Sequence, residues 1–254
     1  EQQTHNLWVD GSIPSGPTIF ILRTMKKLFS LAAIAFLSFT TYAQDATSTP
    51  KQGTLEKITA ADDLFIMTFS SDNWVNLPSS LEAKPLRSHG FSFMFMNEKM
   101  NTAGNFGLGY GLGFTSQNVH TDGVLLYDDV TAKTYFQKVP DSLELETNKL
   151  SLNFVDVALE FRLRTAENSK GKRWKFNAGI RGSYLLQSHT KYEDMNGKVK
   201  LYNTIGLNPF QAGVTGRIGY GNVAASVYYS LVNVFRKDKG PELTPLSIGI
   251  TFTF

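Results

Sequence analysis

From Pro245 to Phe254 the chain alternates without a break. Leu246, Ile248, Ile250, Phe252 and Phe254 take every second position, and Ser247, Gly249, Thr251 and Thr253 fill the gaps. Successive side chains of a strand point to opposite faces, so this stretch is a ribbon with one apolar face and one small, polar face. Such a ribbon either turns its apolar face to a protein core, as in a soluble sandwich or barrel, or closes with its neighbours and turns that face to lipid. The two readings make different demands on the rest of the chain.

The same alternation recurs upstream. The residues predict strands at Leu64–Phe69, His89–Met96, Phe106–Phe114, Leu150–Arg164, Trp174–Leu186, Phe210–Tyr220 and Val223–Val232. With the closing strand they make about eight, the smallest even number for a transmembrane barrel. Most have an apolar set opposite a small or polar one, as with Phe106, Leu108, Tyr110, Leu112 and Phe114 opposite Gly107, Gly109, Gly111 and Gly113, while Phe91, Phe93 and Phe95 stand opposite Ser92, Met94 and Met96. In Leu150–Arg164 the apolar phase slips. Leu150, Leu152 and Phe154 give way to Val155, Val157, Leu159, Phe161 and Leu163, which predicts a β-bulge near Phe154-Val155.

The connections alternate in length. Asn97–Asn105, Ala166–Arg173 and Gly221-Asn222 are short, whereas Ser71–Arg87, Asn118–Lys149, Gln187–Asn208 and Asn233–Thr244 are longer. Short periplasmic turns and long outer loops are the asymmetry of a membrane barrel. A soluble lipocalin-like barrel would invert the faces, apolar inside and polar outside. The row Gly107, Gly109, Gly111 and Gly113 argues against that inversion. It makes a poor water-facing surface but relieves crowding in a narrow lumen.

Composition agrees. Mean hydropathy is -0.17, compatible with strands of which every second residue faces lipid. A net charge of +3 from scattered residues gives no nucleic-acid surface. The absence of cysteine excludes disulfides, thiolate catalysis, Cys-based zinc sites and a lipoprotein anchor.

The start of the chain carries an export signal. Met25-Lys26-Lys27 precedes an apolar run over 28–39 and then Thr41-Tyr42-Ala43, so cleavage is expected between Ala43 and Gln44. The run is shorter than the roughly 20 residues of a membrane-crossing helix. The expected organisation is thus an unstructured upstream extension over 1–24, a signal peptide over 25–43, a polar periplasmic lead-in over 44–62, and a barrel over 63–254.

On this assignment Asp156, Glu160, Arg162, Lys175, Arg181 and Arg217 all face the lumen on neighbouring strands. A barrel of about eight strands is filled by side chains rather than open, so these charges must pair. The expectation is a structural network in which Glu160 and Asp156 meet Arg181 and Arg217. Catalytic candidates are few. His120 precedes Asp122, and His189 follows Ser188, but no spacing joins them into a nucleophile–base motif. Asp122, Asp128, Asp129 and Asp141 lack the regular spacing of a calcium loop. No enzyme activity, metal or cofactor is therefore expected. Aromatics near strand ends, namely Phe161, Trp174 and Tyr220 at one end and Tyr184 at the other, suit interfacial girdles.

Several blocks carry a family resemblance. They are Asp72-Asn73-Trp74-Val75-Asn76-Leu77-Pro78, Ser88-His89-Gly90-Phe91-Ser92-Phe93-Met94-Phe95-Met96, Gly111-Leu112-Gly113-Phe114, Asp156-Val157-Ala158-Leu159-Glu160-Phe161-Arg162 and Ala178-Gly179-Ile180-Arg181-Gly182, then Pro245 to Phe254. The chain resembles the PorT-like outer-membrane β-barrel proteins of Bacteroidetes over most of residues 62–254. The resemblance implies an eight-stranded, antiparallel, up-and-down transmembrane barrel in the bacterial outer membrane, with no catalytic residues to carry over. One such protein is linked to protein secretion and gliding. The closing strand also looks like an outer-membrane assembly signal, with Phe252 and Phe254 read by the barrel assembly machinery. Outer-membrane lipid and that machinery are then the implied partners. A periplasmic or cell-surface protein or glycan would be met by the long loops.

Overall fold

In a computed structural model the described residues are 64–139, 147–194 and 197–254. The upstream extension, the signal peptide with Ala43 and Gln44, the lead-in and Asp141 lie outside them. The described residues form strands β1 (Phe65–Val75), β2 (His89–Met100), β3 (Phe106–His120), β4 (Gly123–Asp128), β5 (Lys133–Lys138) and β6 (Thr147–Arg164). They continue with β7 (Trp174–Asp194), β8 (Gly197–Tyr202), β9 (Phe210–Tyr220), β10 (Val223–Ser230) and β11 (Thr244–Thr253). Every pairing is antiparallel.

Strands β1, β2, β3, β6, β7, β9, β10 and β11 close into a ring of eight, sealed where β11 pairs with β1 and where β6 pairs with β7. Closure removes the exposed edges of an open sheet. Strand β8 pairs with the far part of β7 above the ring, and β4–β5 is a separate hairpin. One end of the ring carries only the short connections, and the other carries the long ones with these added strands.

The faces settle the orientation of the apolar residues. Leu112 and Val157 are each 61% exposed on the outside, whereas Asp156 and Arg162 are wholly buried inside. Phe95, Phe161, Ile180, Ile218, Ile248 and Ile250 continue the outer apolar surface round the ring. The inverted, soluble arrangement is thereby ruled out. A continuous apolar exterior of this extent needs an apolar solvent.

Several sequence expectations require correction. The bulge lies on β7 rather than β6: Asn153 pairs with Gln187, Phe154 pairs with Leu185, and Leu186 is the extra residue. Strand β6 therefore keeps one phase. Leu150, Leu152 and Phe154 point inward like Asp156 and Glu160, and their apolar character reflects a change of lining, not of face. The ring strands also run further than the lipid-facing alternation suggested. Strand β1 continues through Asp72 and Trp74 to Val75, β2 takes in Glu98, β3 reaches His120, and β7 reaches Asp194. The described parts of segments 118–149 and 187–208 are largely strand as well. Beyond the apolar belt the outward face turns polar, so periodicity in hydropathy fades while backbone pairing continues.

Candidate functional site

The lumen is layered along its axis. Nearest the short turns, Glu98 on β2 receives both Arg162 (2.7 Å) and Arg164 (2.5 Å) from β6. The lumenal glycines of β3 make this possible. A Cβ on Gly109 would stand 2.4 Å from the Arg162 Nε, so only glycine leaves the guanidinium its place. One step further in, Arg217 on β9 donates to Glu160 on β6 at 2.6 Å, and Arg162 reaches the same carboxylate at 3.4 Å. The ion pairs thus tie β2, β6 and β9 together across the lumen. Beside them Ile66, Met94, Met96 and Ala158 form a small apolar cluster.

Asp156 occupies the next layer. It accepts hydrogen bonds from Thr115 on β3 and Ser183 on β7, both 2.5 Å. The expected Asp156–Arg181 contact is replaced by a relay, in which Arg181 donates to the Thr115 hydroxyl at 3.4 Å. The Arg181 guanidinium stacks over the Tyr228 ring at 3.7 Å, a cation–π contact that holds the charge without a direct anion. Lys175 is buried at the short-turn end, directly across from Arg164. All six predicted lumen residues therefore face inward, and the structure brings Glu160, Arg162 and Arg217 into direct contact. A cavity of about 60 Å³ lies between these layers, lined by Ser70, Glu160, Arg181 and Arg217 together with Ile66 and Met94 among others. It has room for water.

Three lumen residues escaped the sequence reading. Glu98 continues the inward phase of Ser92, Met94 and Met96 into the segment expected to be a turn, and Arg164 repeats the phase of Arg162. Asp72 is buried, accepts from the Asn118 amide at 3.0 Å and from Ser70 at 2.9 Å, and sat in an expected loop. Its inward phase with Ile66, Thr68 and Ser70 was the available signal.

Above Asp72 the lumen ends in an apolar plug. Trp74, Val119, Leu150, Leu152, Phe154, Leu207, Val234, Phe235 and Leu243 pack into one buried cluster, with Leu125 and Phe136 of the β4–β5 hairpin against it. The ring of Phe136 lies 5.8 Å from that of Trp74. The hairpin is also tied down by its backbone: Thr134 donates from its amide to the Lys239 carbonyl and from its hydroxyl to the Ile205 carbonyl. The long connections thus form a folded cap on the barrel.

The candidate catalytic groups do not assemble. His120 and His189 each have a buried Nδ1 without a hydrogen-bond partner, and the Ser188 hydroxyl accepts from the Thr204 amide instead. Asp122 accepts from the Glu82 amide and pairs with Lys138, while Asp128 caps its own turn through Val130 and Thr131. The aromatics near the strand ends pack in pairs. Trp174 packs against Tyr220 at 5.4 Å at one end, and Tyr184 against Phe210 at 5.1 Å towards the other.

A closed antiparallel ring, apolar outside and ion-paired within, is a transmembrane β-barrel. A family model described as outer membrane protein beta-barrel domain matches residues 67–236, and the chain belongs to that family. Its place is accordingly the bacterial outer membrane. No curated protein matches the chain.

Proposed function

We propose that the protein is a structural or interaction protein of the outer membrane, whose long-loop end faces outward and works as a folded binding platform. One observation carries this reading: the lumen is crossed by the Glu98 and Glu160 ion pairs and capped by the apolar cluster around Trp74 and Phe154. A barrel built this way offers its surface, not its interior. The cap presents apolar side chains to solvent, with Val130 at the hairpin tip 93% exposed and Leu86 91% exposed. The partner is then a protein or glycan at the cell surface, and the reading includes no catalysis. The PorT-like resemblance favours a second reading, a component of protein secretion, in which the same platform would meet the transport partner.

The chain has no native cysteine, so a single Val130→Cys gives a clean probe. Intact cells treated with a membrane-impermeant maleimide should label it. A photo-crosslinker at the same position should then give one discrete adduct. Labelling only after lysis would reverse the orientation, and stepwise conductance of the purified barrel in a planar bilayer would replace the platform with a channel.

A further inference from the structure

The outward face beyond the apolar belt holds a row of basic residues, three of them lysines, that the platform reading does not use. In register, His120 on β3 lies opposite Lys149 on β6, Lys149 opposite Lys191 on β7, and Lys191 opposite Lys200 on β8. Directly opposed cross-strand residues share a face, with Cβ atoms about 5 Å apart, and like charges placed so are destabilising. The neighbouring row towards the belt is Asn118, Ser151, His189 and Tyr202. Lys198 stands opposite Glu193 at the far side.

Little on the protein answers this charge. Among the described residues, Glu193 is the one carboxylate that ion-pairs with the row, through Lys191. Lys149 is held only by the neutral Asn118 side chain, at 3.0 Å, and the same oxygen accepts from Ser151 at 2.6 Å. Burial, and then the charges of Lys191 and Lys200, hold the Lys149 ammonium below its ordinary pKa. The row is electrostatically unfinished in a way that an anion would complete.

Position selects the kind of anion. The same strands carry the lipid-facing Phe114, Val155 and Tyr184, which stand in register with one another on the short-turn side of the cations. Tyr202 is exposed beside His189, with ring centroids 5.7 Å apart, an amphipathic pair of the kind that suits a membrane interface. A single molecule with acyl chains and a phosphate would touch the belt and the row together. We propose that the outward face at the ends of β3, β6, β7 and β8, centred on Lys149, Lys191 and Lys200, binds the phosphate-bearing headgroup of a membrane lipid. That the lipid belongs to the outer leaflet rests on the proposed outward orientation of the long-loop end.

The test uses the full barrel purified in neutral detergent and then given phosphatidylglycerol, phosphatidylcholine or inorganic phosphate. Native mass spectrometry reads retention. The unaltered protein should keep phosphatidylglycerol over phosphatidylcholine, with retention falling as salt rises. The triple variant Lys149→Gln, Lys191→Gln, Lys200→Gln should retain at least tenfold less, Lys→Arg at the same positions should restore it, and Lys237→Gln with Lys239→Gln should change nothing. Inorganic phosphate that displaces the lipid at low millimolar concentration would move the site to free phosphate. Equal retention of both lipids, or retention indifferent to salt, would overturn the proposal even were the triple variant unable to fold. Orientation is read separately by Val130→Cys labelling, so a failure there leaves the binding result standing and removes only the choice of leaflet.

Discussion

Glu160 shows what a buried charge requires in a narrow lumen. Its carboxylate receives Arg217 and Arg162, both buried, so neutralising it leaves the Arg217 guanidinium without its anion and Arg162 with Glu98 alone. Removing one partner of a buried pair costs roughly 3 kcal/mol or more. Glu160→Gln should therefore lower the temperature at which the folded, fast-migrating band converts on a gel; an unchanged conversion temperature would remove the network from the account of stability. Gly109 makes a matched pair with Gly182. A Cβ at Gly109 meets Arg162, whereas one at Gly182 meets nothing within 4 Å. Gly109→Ala should destabilise by about 1–3 kcal/mol through overpacking, and Gly182→Ala should be nearly neutral. Equal effects in the same heat assay would show that the lumen tolerates the methyl group. Glu98 could have been placed inward from its phase with Met94 and Met96. Asp72 was harder to see, because the apolar partners that mark a strand stop at Phe69 on β1.

At the scale of elements, the long-loop end is built from pieces with separate stabilities. The β4–β5 hairpin docks through Phe136 on Trp74 and through Thr134. Phe136→Ala should loosen it by about 2 kcal/mol, less than the 3–5 of a fully buried Phe. Limited proteolysis should then cut within 121–147 while the rest of the barrel resists. The end of β3 carries a pH dependence. His120 lies beyond the apolar belt, where burial first, and then Lys149 from β6, His89 and Arg87 from the β2 side and Lys191 from β7, pull its pKa down to about 4. An unfolded histidine titrates near 6.5. The folded end thus resists protonation. Its contribution to local stability is complete above about pH 6.5 and is lost as pH falls from there towards 4. Amide exchange at Val119 and His120 should quicken over that window, and an exchange profile flat between pH 7 and 4.5, after correction for the intrinsic rate, would show that His120 is not felt.

For the whole molecule, a closed ring has no edge from which to fray, and its pairings join distant parts of the chain. Strand β11 pairs with β1 across nearly the whole described length. Such a topology converts between folded and unfolded forms in one cooperative step, and a lumen that is both ion-paired and plugged should hold no open pore. Planar-bilayer recordings should show no stepwise conductance, and deleting 123–138 alone should not create one, because the plug is made chiefly of ring residues such as Leu152 and Phe154.

What the sequence determined by itself was the eight-strand count, the two faces and the inward charges. Period-2 alternation is a local property that lipid on one side and a narrow lumen on the other both enforce. It stopped being legible where those two solvents stop. Past the belt the outside is wet and the inside of the long-loop end is apolar, so Leu150, Leu152 and Phe154 read as lipid-facing when they line the plug. The partners of each charge were also beyond the sequence. Alternation says that Asp156 and Arg181 point inward, but the register of β3, β6 and β7 decides that Thr115 and Ser183 reach the carboxylate first. The cation row arises the same way. Lys149, Lys191 and Lys200 are far apart in the chain and unremarkable singly, and only antiparallel pairing across β6, β7 and β8 sets them side by side.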